Sequence, residues 1–185
     1  MSKQYSSQPN IVLTGFMGTG KSTVGKLLAS RLSRPFLDMD ELIEYREART
    51  INQIFETEGE PYFRQLEASL CHELAQRSGH VIATGGGALI PPANRQVLAE
   101  TGLVICLNCQ PDILWQRIGD SENRPMLAEQ DASRFNRLMD LLAQRQPAYQ
   151  QIPYQIDVTH LNPVEAADQI MALVETGGNN VLKSA

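Results

Sequence analysis

The chain has 185 residues, 42% of them hydrophobic and 20% charged, and a formal net charge of −5. That length suits one domain with room for a true core, and the composition excludes disordered, fibrous and collagen-like classes. The acidic balance argues against a nucleic-acid surface, so any phosphate chemistry must rest on a few cations gathered locally.

Residues 1–10 are polar and carry no apolar signal core. No run approaches the roughly 18 apolar residues of a membrane span. A cytoplasmic monomer with neither membrane nor nucleic-acid partners is the expectation. The run Ile11-Val12-Leu13 predicts a first strand near 10–14, and Val24, Leu27, Leu28 and Leu32 share one helical face over 21–33. Between them lies Gly15-Phe16-Met17-Gly18-Thr19-Gly20-Lys21-Ser22, which fits G-x-x-x-x-G-K-[ST], the phosphate-binding P-loop. Its glycines let backbone N–H groups curl around phosphate oxygens, and the new helix aims its N-terminus at the same anion. Lys21 adds a movable positive charge, and Ser22 offers a hydroxyl to Mg²⁺.

A second strand, Pro35 to Asp38, ends in Asp38-Met39-Asp40. In extended chain these two carboxylates point the same way. Asp38 is then the acid near Mg²⁺, since the later strand Val81-Ile82-Ala83 ends without one. Asp40 can accept a proton from an attacking hydroxyl. An N-cap and first-turn acids of a following helix is the other reading, and the two are compatible. Residues 40–48 and 50–77 look mostly helical, with Leu66, Leu70 and Leu74 at i, i+4 and i+8. The third strand, 81–83, runs into Gly85-Gly86-Gly87, which suggests positive φ or close approach of a ligand; a plain turn is the alternative.

Pro91-Pro92 opens a helix ending near Gly102, and Leu103 to Leu107 is a wholly apolar fourth strand. Cys106 and Cys109 form a C-x-x-C, but no second pair accompanies them, so packing is the expected role, as for Cys71. His72, His80 and His160 lack metal-ligand spacing. A helix from Pro111 precedes a polar loop, Gly119 to Asp131, long enough to be a lid that carries Arg124 beside Pro125. A helix near 132–146 and a strand near 154–158 follow. The last helix starts with Asn162 as N-cap, Pro163 at its first position and Glu165 three residues past the cap, and the tail from Thr176 looks frayed. Strands separated by helices imply a mostly parallel sheet covered on both faces, with ligands at the strands' carboxyl ends.

Together these motifs resemble the shikimate kinase family, a P-loop group akin to nucleoside-monophosphate kinases. The resemblance covers about Asn10 to Val174. It is carried by Gly15 to Ser22, Asp38-x-Asp40, Gly59-Glu60 with Phe63-Arg64, Gly85 to Gly87, Arg124-Pro125, and Arg145 before Pro147. Met126 departs from the leucine common after Arg-Pro. The resemblance implies a three-layer α/β/α fold with a five-stranded parallel sheet in the order 2-3-1-4-5. It implies one kinase domain over 1–185, a substrate-binding subregion at about 40–70 and a lid at about 119–131. It implies MgATP-dependent phosphorylation of the 3-hydroxyl of shikimate. ATP would meet Gly18, Thr19, Gly20, Lys21, Ser22, Thr23 and Arg124, with Arg117, Asn162 and Pro163 at the adenine. Ser22 and Asp38 would hold the Mg²⁺. Asp40 would bind ring hydroxyls, and Arg64 and Arg145 would clamp the carboxylate. Gly85, Gly86 and Gly87 would line the substrate site, with Gly86 and Gly87 offering it backbone N–H groups. Phe55, Phe63 and Glu67 would shape its pocket. Lys21, Asp40 and Arg124 would carry the catalysis. From the residues alone, Arg64 can equally pair with Glu67 at i+3, and Arg145 can sit as a cation near a helix C-terminus. A gluconate- or nucleotide-type kinase and a non-catalytic nucleotide switch are the competing functions.

Overall fold

The computed structural model describes residues 8–118 and 131–181. The strands are β1 (Asn10–Gly15), β2 (Phe36–Asp38), β3 (Val81–Ala83), β4 (Gly102–Asn108) and β5 (Tyr154–Asp157). They form one parallel sheet in the order β2-β3-β1-β4-β5, as expected. β1 lies at its centre, and every one of its residues is buried. Alternation along β1 sends Ile11 and Leu13 to one face and Val12 to the other. On the first face Leu103, Ile105 and Leu107 of β4 join Val24 and Leu28 of α1 (Lys21–Leu32) and Ala167 and Ile170 of α8 (Pro163–Val181). On the second face Ile82, Val104 and Cys106 pack against six helices. These are α2 (Met39–Glu47), α3 (Ile51–Thr57), α4 (Gly59–Ala75), α5 (Pro92–Ala99), α6 (Pro111–Ile118) and α7 (Asp131–Gln150).

The helical reading of 50–77 splits in two. Thr50 caps α3 in a reciprocal box with Gln53, and the chain breaks at Glu58 before Gly59 at φ 81°. Only glycine takes that conformation cheaply, so α4 starts on a new axis. Two ends also differ from expectation. α7 continues through Pro147 to Gln150, and α8 continues past Thr176 through Gly177-Gly178 to Val181. Asn162 does cap α8: its side chain accepts from the N–H groups of Val164 and Glu165, and Glu165 accepts from the Asn162 N–H. No helix among the described residues is long and apolar enough to cross a membrane.

Asn10 fastens the start of the central strand. Its buried side chain donates to the carbonyls of Leu74 (3.3 Å) and Arg77 (2.8 Å) and accepts from the His80 N–H (3.0 Å). It thus ties β1 to the end of α4 and the start of β3. Asn10→Ala strands the Arg77 carbonyl and the His80 N–H near the core, while the Leu74 carbonyl keeps the Arg77 N–H, and we expect a loss of about 2–4 kcal/mol in urea unfolding. A loss under about 0.5 kcal/mol would show that water replaces the side chain freely.

Candidate functional site

The carboxyl ends of β1, β2 and β3 open onto one cleft of ≈660 Å³, within the usual size of a small-molecule site. Its walls bring together Gly18, Gly20, Lys21, Ser22 and Thr23 from the P-loop and α1. The remaining sides come from Asp38 and Asp40, Phe55, Phe63, Arg64 and Glu67, Gly85 to Gly87, Arg117 and Arg145. A second hollow lies on the far side of the P-loop, lined by Gly18, Thr19, Gly20, Arg117, Asn162 and Pro163. Every expected site residue among the described residues therefore lines one of two hollows that share the P-loop glycines. Arg124, and the lid expected at about 119–131, lie outside the described residues, except for Asp131, which opens α7.

Lys21 folds back onto the loop, donating to the carbonyls of Gly15 (3.0 Å) and Phe16 (2.9 Å). These are replaceable contacts, and a phosphate is a stronger acceptor. The Asp38/Asp40 arrangement differs from the extended dipeptide expected. Asp38 ends β2 and is the N-cap of α2, accepting from the Asp40 and Glu41 N–H groups. Met39 already belongs to the helix and is fully buried. Asp40 reaches the cleft from the first turn of a helix rather than by strand alternation. The Asp38 carboxylate also accepts from the Ser22 hydroxyl at 2.5 Å, so capping and site contact coexist in one side chain.

Of the two expectations for the glycine run, positive φ is not met, since none of its three residues has one. What requires glycine is close approach. A Cβ on Gly85 would lie 2.6 Å from Asp40 Oδ1 and 2.8 Å from Glu67 Oε1, and one on Gly86 would lie 3.2 Å from Arg145 Nη1. A Cβ on Gly87 would run into the Arg64 guanidinium. Two guanidinium groups from separate helices thus abut adjacent glycines. Arg64 Nε and Nη2 donate to Glu60 Oε1, and Nη1 donates to Glu67 Oε2 at 2.5 Å. The i+3 ion pair is therefore present together with a place on the cleft wall. Arg145 is 6% exposed and lies over the Phe16 ring. It also bonds Tyr149, whose hydroxyl donates to the Gly86 carbonyl at 2.6 Å. Burial pushes the Glu67 carboxyl up, the Arg64 charge and hydrogen bond pull it down, and the Asp40 charge pushes it up again; the balance lies above the ordinary value.

Arg117 donates to the carbonyls of Val158 (3.1 Å) and Thr159 (3.3 Å), which fixes it between the two hollows. Cys106 and Cys109 are unbridged. Burial raises the Cys106 thiol to about 12, leaving it unreactive, and raises Cys109 as well. Among the described residues no group of three or more His, Cys, Asp or Glu could hold a metal. Sequence reasoning missed Thr84, Thr50 and Tyr149. Thr84 is a buried hydroxyl on the cleft wall, signalled by its place at the end of an apolar strand. Thr50, also on the wall, was readable from the Thr50-x-x-Gln53 box. Tyr149 had no signal beyond its i+4 spacing from Arg145.

The family profile described as shikimate kinase matches residues 17–175. The chain is 41% identical over 162 residues to a shikimate kinase of Caldanaerobacter subterraneus, covering 88% of this chain and 94% of that protein. It is 41% identical over 180 residues to one of Acinetobacter baylyi, covering 97% and 99%. Among solved structures, shikimate kinase from Acinetobacter baumannii in complex with shikimate superposes with a TM-score of 0.88 at 39% identity, over 96% of this chain and 98% of that one. A gluconokinase from Sinorhizobium meliloti shares the fold, at TM-score 0.61 and 19% identity, over 96% and 98%.

The two roles of Asp38 separate by substitution. Asn caps a helix about as well as Asp, whereas Ala does not. Asp38→Asn should unfold in urea close to wild type, and Asp38→Ala about 1 kcal/mol earlier. Equal losses in both variants would mean that the charge beside Ser22, and not the cap, holds β2 to α2.

Proposed function

The chain belongs to the shikimate kinase family, and from that premise we propose how its cleft performs the reaction: ATP and shikimate give ADP and shikimate 3-phosphate, a step towards chorismate and the aromatic amino acids. The observation that carries the reading is the convergence of Arg64 and Arg145 on adjacent glycines at the rim where the P-loop opens. A planar carboxylate is the natural partner of paired guanidinium groups. Nothing in a plain nucleotide switch calls for a second anion site there. A gluconate acceptor is supported only by a shared fold.

In this reading the P-loop amides and the α1 N-terminus hold the phosphates, and Lys21 leaves the loop carbonyls for the outer ones. The adenine lies in the hollow between Arg117 and Asn162-Pro163. Ser22 and Asp38 fit Mg²⁺: they are hard oxygen donors in mutual contact on the cleft, and this ion takes few protein ligands beside water and phosphate. When bound, the ion supplies positive charge to the phosphates. Shikimate then lies with its carboxylate between Arg64 and Arg145, and its 3-hydroxyl towards Asp40. Asp40 orients that hydroxyl for in-line attack and accepts its proton. Phe55 and Phe63, whose rings meet at 5.0 Å, cover the apolar side of the ring. Arg124 is carried by the family resemblance alone, as a cation at the transferring phosphate. The described part of the cleft is lined by one chain, which supports a monomer, and we take the cytoplasm as its compartment.

ADP release measured with ATP and Mg²⁺ should require shikimate; equal release without it, or with gluconate alone, would overturn the reading. Arg145→Ala should raise the KM for shikimate by ~10²-fold or more and leave that for ATP within a few-fold. Asp40→Asn should lower kcat by ~10²–10⁴. Arg124→Ala should lower it by ~10³–10⁵ with folding intact, and normal turnover would remove Arg124 from the mechanism.

A further inference from the structure

Glu67 is 1% exposed on the cleft wall, with one oxygen satisfied and one not. Oε2 accepts from Arg64, while Oε1 is buried and has no hydrogen-bond partner among the described residues. The unfilled Cβ position of Gly85 lies within 2.8 Å of this oxygen and 2.6 Å of Asp40 Oδ1. Two carboxylates, from α4 and α2, therefore close on one point. Ionised, both only accept, and they repel. One proton on Glu67 Oε1 removes the repulsion and makes that oxygen a donor beside the point on which Asp40 Oδ1 also closes.

The charges around Glu67 decide when that proton arrives. Its own helix contributes Arg64, with Glu60 on the other edge of that guanidinium, and the uncharged Cys71 thiol one turn further on. From α2 come Asp40 and, farther along the wall, Glu44; from α7 comes Arg145; the P-loop brings Lys21 to the same cleft. The Thr84–Gly87 loop brings no charge. Arg64 and Arg145 are the cations that lower the Glu67 carboxyl, and they are the two assigned to the substrate's carboxylate. A bound anion neutralises their field in a site of low dielectric.

We propose that Glu67 takes up a proton when the anionic acceptor binds, so that the loaded cleft holds it as a neutral acid donating from Oε1 to Asp40. The proposal rests on the shikimate reading of the cleft. Glu67 is then a positioning residue: its proton holds the Asp40 carboxylate aimed towards the hydroxyl. The sign follows from linkage. Binding raises the Glu67 pKa, so affinity is greatest below the value of the free enzyme. It falls by up to about tenfold per pH unit between the free and bound values, and levels off above both.

Titration calorimetry of shikimate into the nucleotide-free wild-type enzyme, from about pH 5 to about pH 9 in buffers of different ionisation enthalpy, reads the proton count directly. Uptake approaching one proton per shikimate is expected within part of that range. Glu67→Gln presents an amide N–H where the acid would carry its proton and keeps a carbonyl for Arg64. It should bind shikimate with no uptake and a flat pH dependence. Absence of uptake in wild type at every pH, or undiminished uptake in Glu67→Gln, would overturn the proposal. Should that variant not fold, carbon NMR of glutamate-labelled wild type decides: the Glu67 carboxyl should move to its protonated position on adding shikimate, and remaining at the ionised position would overturn it. Absence of any binding heat or shift change with shikimate would instead sink the functional reading beneath it.

Discussion

The structure depends on one topological constraint: β1 lies in the middle of the sheet and is hydrogen-bonded on both sides. The chain leaves β1 for β2 and β3 on one flank and returns for β4 and β5 on the other. The connections must part at the carboxyl end of β1, and an open crevice results there. The P-loop occupies that position. Its backbone N–H groups cannot be spent on the sheet, because the strand has ended, so they are left to face a ligand. The same edge receives Asp38 from β2 and the glycine run from β3, since both strands run parallel to β1 and end at the same level. Juxtaposition of phosphate and acceptor sites follows from parallel pairing in register, before any side chain is considered.

A chain with a net charge of −5 then has to hold an anionic phosphate and an anionic carboxylate side by side. It does so by anchoring each cation with oxygens that the ligand can outbid or supplement. Lys21 rests on two loop carbonyls, Arg117 on two carbonyls beyond β5, and Arg64 on Glu60 and Glu67. A guanidinium pinned this way loses less freedom on binding than a solvated one, so more of its interaction appears as affinity. The cost is carried by Glu67, a buried carboxylate with one oxygen unpartnered among the described residues. Buried unsatisfied acceptors are rare, and they cluster where a ligand or a proton completes the set.

Much of this was legible in the chain. The P-loop announces itself because each residue type has one job, and strand order follows from alternation of strands and helices plus a known kinship. Less legible were features set by neighbours far away in sequence. Gly85 to Gly87 could be recognised as special, but the reason lay in side chains from α2, α4 and α7 that crowd the loop, so positive φ was the wrong explanation. Asp38-x-Asp40 admits both an extended and a capping reading, because a helix beginning at Met39 leaves the same two carboxylates on the cleft. The break at Gly59 was hidden by leucine spacing in α4, yet the Thr50 box and the lone glycine marked it. Tertiary contact decided each of these, and local pattern could not.

Pro147 illustrates how the site overrides a local rule. Inside a helix, proline removes one backbone hydrogen bond and crowds the preceding turn, at a cost of about 3 kcal/mol. A sequence reading therefore stops the helix there, yet α7 continues to Gln150. Arg145 lies two residues before the proline and Tyr149 two after, so the i, i+4 pair straddles it and both side chains leave the same face. Both reach Gly86: Arg145 Nη1 lies 3.2 Å from where its Cβ would stand, and Tyr149 bonds its carbonyl. If the helix ended at Gln146, Tyr149 would lose its register, and the glycine loop would lose the anchor that holds its carbonyl away from the cleft. The proline is tolerated because Leu138 and Tyr149 are buried on either side of it within α7, and Ile152 is buried just past the helix end. Local irregularity sits where two functional elements have to be kept in contact, which is where consistency between sequence preference and structure is expected to fail.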